Sequence, residues 1–187
     1  MIGEQEAMNL LKKEKGSEAL IEHSITVSEV STRLALAFKE NGYNINLDLV
    51  RLGGLLHDIG RVKTHSVHHG YLGGRLLRDR GVDERIARIA ERHVGGGISS
   101  EEAKKLGLPE GEYMPKSLEE KIVCFADKIV EMDYVIPLEK TLDTFREELG
   151  DESGAVKRLI ELKDELKSLL NRDPEEMVKD SIVKELR

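Results

Sequence analysis

Between Ser17 and Gly42 the apolar residues Val27, Val30, Leu34 and Phe38 return at intervals of three and four, and the segment closes on Asn41-Gly42. That period belongs to an α-helix with one face turned to a core; a strand would alternate its faces at every second residue. The same rhythm governs most of the chain that follows, so packed helices must supply the interior. Composition agrees, since 35% of the residues are charged and 4% aromatic, with no Trp. Such a balance suits amphipathic helices better than an aromatic-rich β-sandwich. The expected class is all-α.

A second helix is expected from near Asn46 through Leu49, Val50, Leu52, Leu55 and Leu56 into His57-Asp58-Ile59-Gly60, where glycine would end it. Helices from about His68 to Arg80 and from Asp83 to His93 carry Leu72, Leu76 and Leu77, then Ile86, Ile89 and Ala90. Gly95-Gly96-Gly97 breaks the pattern as a flexible loop, and either a plain turn or a substrate gate would look like this. Ser99 with Glu102, and Ser117 with Glu120, have the spacing of capping boxes. The second box opens a strongly apolar helix running through Val130, with Pro137 marking its end or a bend. Residues 138–149, 152–172 and 175–186 read as amphipathic helices, and no β-hairpin signal stands out.

With 187 residues and 39% apolar content, the chain is long enough for a real core and reads as one domain over 1–187. A C-terminal helical extension of about 137–187 is expected to follow the main body. The formal charge of −7 argues against coating a nucleic-acid backbone, which needs a basic surface. A small phosphorylated substrate remains compatible. The lone Cys124 forms no internal disulfide and reads as a core residue, and no run approaches a signal peptide or a membrane span. A cytoplasmic location with no membrane partner is expected. The charged C-terminal faces read as solvated surface, with a homodimer as the alternative.

Polar residues on apolar faces carry the chemistry. His23 shares the stripe of Val27 and Val30, His93 lines up with Ile86, Ile89 and Ala90, and Asp127 lies between Val123 and Val130. All three point inward. Burying an unpaired carboxylate costs several kcal/mol, so an inward Asp needs a cation, a metal or a full set of hydrogen bonds, and several His nearby make a metal the economical answer. His57-Asp58 ends its own apolar helix, and Gly53-Gly54 one turn earlier lets a neighbouring helix come close. Imidazole and carboxylate ligands without thiolate suit a catalytic transition metal rather than a structural zinc finger.

His23, then His57-Asp58, then Asp127 resembles the ordered H…HD…D pattern of the HD superfamily of metal-dependent phosphohydrolases, and His57-Asp58-Ile59-Gly60 looks like its HDIG variant. The resemblance covers roughly 17–136. It implies an α-helical bundle with those four residues around a divalent metal. His69-Gly70 and His93 are similar to the binuclear branch, which includes diadenosine tetraphosphate hydrolases and cyclic-dinucleotide phosphodiesterases. There two further His hold a second ion and Asp58 would bridge both. The ions implied are iron or manganese, with cobalt, nickel or zinc as alternatives. His68 is the competing ligand if the helix starts one residue differently. The GYP signature of cyclic-di-GMP phosphodiesterases is absent, and Arg61 stands where many HDIG relatives carry Lys.

The function this resemblance implies is hydrolysis of a nucleotide or other small phosphoester by a metal-bound hydroxide, a phosphodiester or cyclic phosphate in particular. A catalytically silent HD module that binds a nucleotide or a partner protein is the alternative. Residues 51–93 hold nine Lys/Arg against five Asp/Glu, which locally favours an anion. Arg61 is the candidate for catalytic and substrate contact, being able to grip a phosphate oxygen bidentately; Lys63, His65 and Lys128 are further candidates for the same rim. The plainer readings are that Arg61 pairs with a surface carboxylate and that His65 is solvated or caps its loop.

Overall fold

A computed structural model of the chain describes residues 2–179. Among them the elements are α1 (Glu4–Lys13), α2 (Glu18–Glu40), α3 (Leu47–Leu56), α4 (His69–Asp79), α5 (Glu84–Arg92), α6 (Ser100–Lys105), α7 (Leu118–Lys128), a hairpin of β1 (Val130–Glu131) and β2 (Tyr134–Val135), α8 (Leu138–Leu149) and α9 (Gly154–Leu170). The class is all-α. Helix starts follow the side chains that can satisfy free N–H groups: Ser17, Asn46, Asp83 and Ser153 each accept one at the N-cap. Both expected capping boxes form, at Ser99/Glu102 and Ser117/Glu120.

α2 and α3 form the closest pair. A Cβ on Gly54 would lie 2.6 Å from the Cα of Ser28, so only glycine lets the two backbones meet there. The Ser28 hydroxyl crosses the junction to donate to the Arg51 carbonyl at 2.8 Å. Around this pair one hydrophobic cluster gathers Val30, Leu34 and Phe38 of α2, Leu56 of α3, Ile86 of α5 and Phe125 of α7. Leu11 of α1 and Leu159 and Leu166 of α9 join it. Val156, Leu159, Leu162, Leu166 and Leu170 of α9 are therefore covered within the chain. A buried ion pair, Arg92 Nη1 to both oxygens of Glu120 at 2.8 and 2.9 Å, ties the end of α5 to the start of α7.

Four expectations change. α1 was not legible as an element, yet it buries Ala7 and Leu11. α3 ends at Leu56 rather than at Gly60, and a 3-10 turn over Ile59–Val62 follows. The apolar helix α7 stops at Lys128, and the β-branched residues beyond it pair as the small antiparallel hairpin, Val130 opposite Val135. The triple glycine is a packed turn: Gly95, Gly96 and Gly97 have φ of 61°, 75° and 96°, and a Cβ on Gly97 would lie 2.7 Å from Pro115. It is held rather than free to gate. The helix expected over 175–186 falls mostly outside the described residues, and 174–179 form turns. Among the described residues no helix is long and apolar enough to cross a membrane.

Candidate metal centre

Helix ends converge on one point. His57 is the C-cap of α3, His93 the C-cap of α5, Asp127 lies in the last turn of α7, and His69 opens α4. Three C-termini thus turn their partial negative charge toward the same place, which favours a cation there. Local geometry then sets the imidazoles. His57 Nδ1 donates to the Gly54 carbonyl at 2.7 Å, His69 Nδ1 to Ser66 at 2.7 Å and His93 Nδ1 to Ala90 at 2.8 Å. In each case the acceptor lies three residues back, and for His57 and His93 it is a carbonyl of the closing helix turn. A carbonyl only accepts, so Nδ1 carries the proton, and in the neutral ring Nε2 is left as a lone pair facing inward. This is how metal-binding His residues are oriented by their outer partners.

The inward atoms form two groups that share Asp58. In the first, Asp127 Oδ1 lies 3.0 Å from His23 Nε2 and 3.3 Å from His57 Nε2, while Asp58 Oδ2 lies 4.0 and 3.8 Å from the same two nitrogens. In the second, Asp58 Oδ1 lies 3.2 Å from both His69 Nε2 and His93 Nε2, which are 3.1 Å from each other. Asp58 Oδ1 is buried and has no hydrogen-bond partner. Three acceptors crowded at this spacing repel one another unless a cation sits among them. Donor atoms about 3.0 Å apart in an octahedron, or about 3.4 Å in a tetrahedron, correspond to metal–ligand distances of roughly 2.1 Å. The donor set fits a divalent metal.

Both carboxylates stay ionised. Burial alone would push Asp58 and Asp127 up, but the neighbouring positive charges and imidazoles outweigh it and hold both well below the usual carboxylate range. For Asp127 the largest of these charges is Lys128, bonded to Oδ2; for Asp58 it is His57. Burial brings His93 down to about 4, so it is neutral at neutral pH. His57 goes the other way: burial disfavours its charge, but Asp58 and Asp127 more than compensate and raise it above 6.5. Below that raised value, a metal entering the first group would displace a proton from His57. Affinity should rise about tenfold per pH unit below the raised His57 value and level off above it. Equilibrium dialysis of Mn²⁺ in pH steps checks this, and a flat profile between about pH 5 and 8 would remove His57 as the proton source.

Two clefts reach the centre. One of about 520 Å³ is lined by Lys15, Ser17, Ala19, Leu20, His23, Asp58, Arg61, Val62, His65 and Met132. The other, of about 290 Å³, runs past His23, Arg61, Asp127 and Lys128 to Lys140, Thr141, Thr144 and Phe145 of α8. The Thr141 hydroxyl donates to the Lys128 carbonyl at 2.6 Å and seats α8 there. His23 and Arg61 line both clefts.

The structure brings together His23, His57, Asp58, His69, His93 and Asp127. His69 is the inward residue, while His68 turns out to a 3.3 Å contact with the Ser66 hydroxyl. Arg61 pairs with Asp58 Oδ2 at 2.5 Å, a buried carboxylate rather than a surface one, and still borders both clefts. Lys128 sits on Asp127, and His65 is exposed on the rim of the larger cleft. Lys63 is exposed and lines neither cleft. Sequence reasoning missed Lys15, Met132, Lys140 and Thr144 as cleft residues; their turn and C-terminal-helix positions carried no motif. It also missed the orienting carbonyls of Gly54, Ser66 and Ala90, although the three-residue spacing before each His was there to read.

Residues 20–132 match the family model described as HD domain. An uncharacterized protein of Methanocaldococcus jannaschii is 46% identical over 166 residues, 89% of this chain and 98% of that protein. A protein of Picrophilus torridus named tRNA (cytidine(56)-2'-O)-methyltransferase is 41% identical over 178 residues, 95% of this chain but 50% of its own length. The chain thus spans about half of that relative. In three dimensions the HD domain of the Listeria monocytogenes phosphodiesterase PgpH, solved in complex with cyclic-di-AMP, superposes with a TM-score of 0.52 at 18% identity, covering 87% of this chain and 95% of that one. The two share a fold.

Proposed function

The chain belongs to the HD domain family, and on that premise we propose that it is a metal-dependent phosphohydrolase cleaving a nucleotide or other small phosphoester, a phosphodiester or cyclic phosphate in particular. The observation that carries the reading is the division of Asp58, one oxygen facing His23 and His57 and the other facing His69 and His93. Such a carboxylate would bridge two ions, with iron or manganese as the first candidates and cobalt, nickel or zinc as alternatives. When bound, the ions would lower the pKa of a water and offset charge developing on the phosphate oxygens.

The remaining work falls to this chain's own groups. Arg61, at the junction of the clefts, would grip a phosphate oxygen of the substrate. Lys128 holds Asp127 ionised from behind. The buried His57, His69 and His93 exclude bulk water on one side, leaving access through the His23 side. A nucleotide is the favoured substrate class, and the PgpH HD domain, which shares the fold, binds one.

Metal-stripped protein re-supplied anaerobically with Fe²⁺, Mn²⁺, Co²⁺, Ni²⁺ or Zn²⁺ is expected to hydrolyse bis(p-nitrophenyl) phosphate in a metal-dependent way. Turnover of p-nitrophenyl phosphate alone would shift the reading to a monoester phosphatase. Metal that binds at both groups yet supports turnover of neither ester nor of any cyclic or linear dinucleotide would end it. A second reading has one observation in its favour: the Picrophilus torridus relative carries the matched region on one polypeptide with a further half, under a name for tRNA methylation. The same pocket would then serve a binding module beside a tRNA-modifying partner. Nucleotide binding without turnover under any metal favours that alternative.

A further inference from the structure

Three residues other than glycine take left-handed backbone among the described residues: Lys15 at φ 63°, Met132 at 55° and Asn171 at 53°. Asn171 caps α9, and asparagine is a usual choice at such a stop. The other two break that pattern. Met132 starts the two-residue turn of the hairpin, where Gly, Asn or Asp carry no penalty, and Lys15 follows the C-cap of α1, the ordinary place of glycine. Gly16 stands next door without a left-handed φ. At both positions the chain puts a long side chain where a strain-free residue would fold better, and both line the larger cleft with His23 and Asp58.

Met132 adds a second anomaly, for it is an apolar side chain left 63% exposed. Strain and exposure tolerated together at one cleft point to a ligand that uses those side chains. The chemistry of that ligand follows from the walls. Leu20, Val62 and Met132 offer an apolar surface, Lys15, Arg61 and His65 offer positive or donor groups, and Asp58 is the one acidic residue of the lining. A flat apolar ring joined to an anion matches this mixture, and methionine sulfur packs well on aromatic rings.

We propose that the larger cleft is the subsite for the nucleobase-bearing arm of the substrate, with Met132 packing on the base and Lys15 meeting the anionic part of the same arm. This rests on the phosphohydrolase reading for the word substrate, but its test does not need turnover. The probes are AMP and ribose 5-phosphate, which differ by the base alone, titrated calorimetrically into the full chain with Mn²⁺ present. The wild-type protein is expected to bind AMP about two- to tenfold more tightly, the range that a sulfur–aromatic contact supplies. Met132→Gly should erase that preference while its Tm holds or rises, because the left-handed strain is relieved. Lys15→Gly should weaken both probes by a similar factor.

Equal binding of the two probes by the wild type, failure of both to bind, or an AMP preference intact in Met132→Gly would overturn the proposal. Diester hydrolysis with no preference for a base would overturn the subsite alone. A base preference lost in Met132→Gly, in a protein that hydrolyses nothing, would keep the subsite and sink the phosphohydrolase reading.

Discussion

Asp58→Ala is expected to lower metal-dependent turnover by roughly 10²- to 10³-fold, the scale of losing a principal charge-stabilising group, while leaving the helices folded. Asp58 is the one residue common to both donor groups. Without it the second group keeps only His69 and His93, with no anion to balance a divalent charge. The first keeps His23, His57 and Asp127, with Lys128 still drawing on the far oxygen of that carboxylate. On the proposed two-ion reading, bound metal should fall to at most one ion per chain, held weakly. The fold should survive because Asp58 packs nothing in the hydrophobic cluster, and its removal relieves the crowding of acceptors around Oδ1. Metal analysis after gel filtration, circular dichroism and diester turnover read the three parts separately. His68→Ala is the internal control, since its ring points away from the centre, and it should match the wild type in all three. Unchanged metal content or turnover in Asp58→Ala would remove the shared-carboxylate reading.

The inward polar residues were legible because helical periodicity fixes direction. Placing His23, His93 and Asp127 on apolar stripes was enough to bring them to one interior, and the HD motif supplied His57 and Asp58. The choice between His68 and His69 needed a helix start accurate to one residue, which periodicity does not give. Turn chemistry was the other blind spot. The hairpin after α7 has no Asn-Gly or Asp-Gly signal at Met132-Asp133, so its β-branched flanks read as continuing helix. Arg61 and Lys128 were read as substrate-contacting cations, and sequence could not show that each already holds a carboxylate at the centre. α8 carries no HD motif, yet Lys140, Thr141 and Thr144 build a wall of the smaller cleft. Residues beyond the family pattern entered the site through packing, which a motif does not encode.

Gly60 had been read as a helix stop, and its replacement should reveal a different duty. The residue lies in the 3-10 turn and its φ is not positive, so conformational freedom is not what the position requires. Space is: a Cβ there would lie 1.9 Å from the His69 carbonyl oxygen and 2.6 Å from the Gly73 amide nitrogen. Both are backbone atoms of α4, so no rotamer change can make room, and the helix carrying His69 would have to move. Gly60→Ala should cost about 3 kcal/mol or more, at the upper end of overpacking substitutions, and lower Tm by on the order of 10 °C for a domain of this size. Gly73→Ala at the same contact is milder, its Cβ meeting the Gly60 nitrogen at 3.1 Å, and should lose clearly less. The displacement also has a functional sign. Moving α4 carries His69 away from Asp58 Oδ1, so the second group should lose metal affinity before the first. Calorimetric metal titration of Gly60→Ala at a temperature where it remains folded should resolve one tight site and one weakened site. Two unaltered sites, or a Tm within about 2 °C of wild type, a shift expected from under 1 kcal/mol, would mean that the close approach of Gly60 to α4 does not set the position of His69.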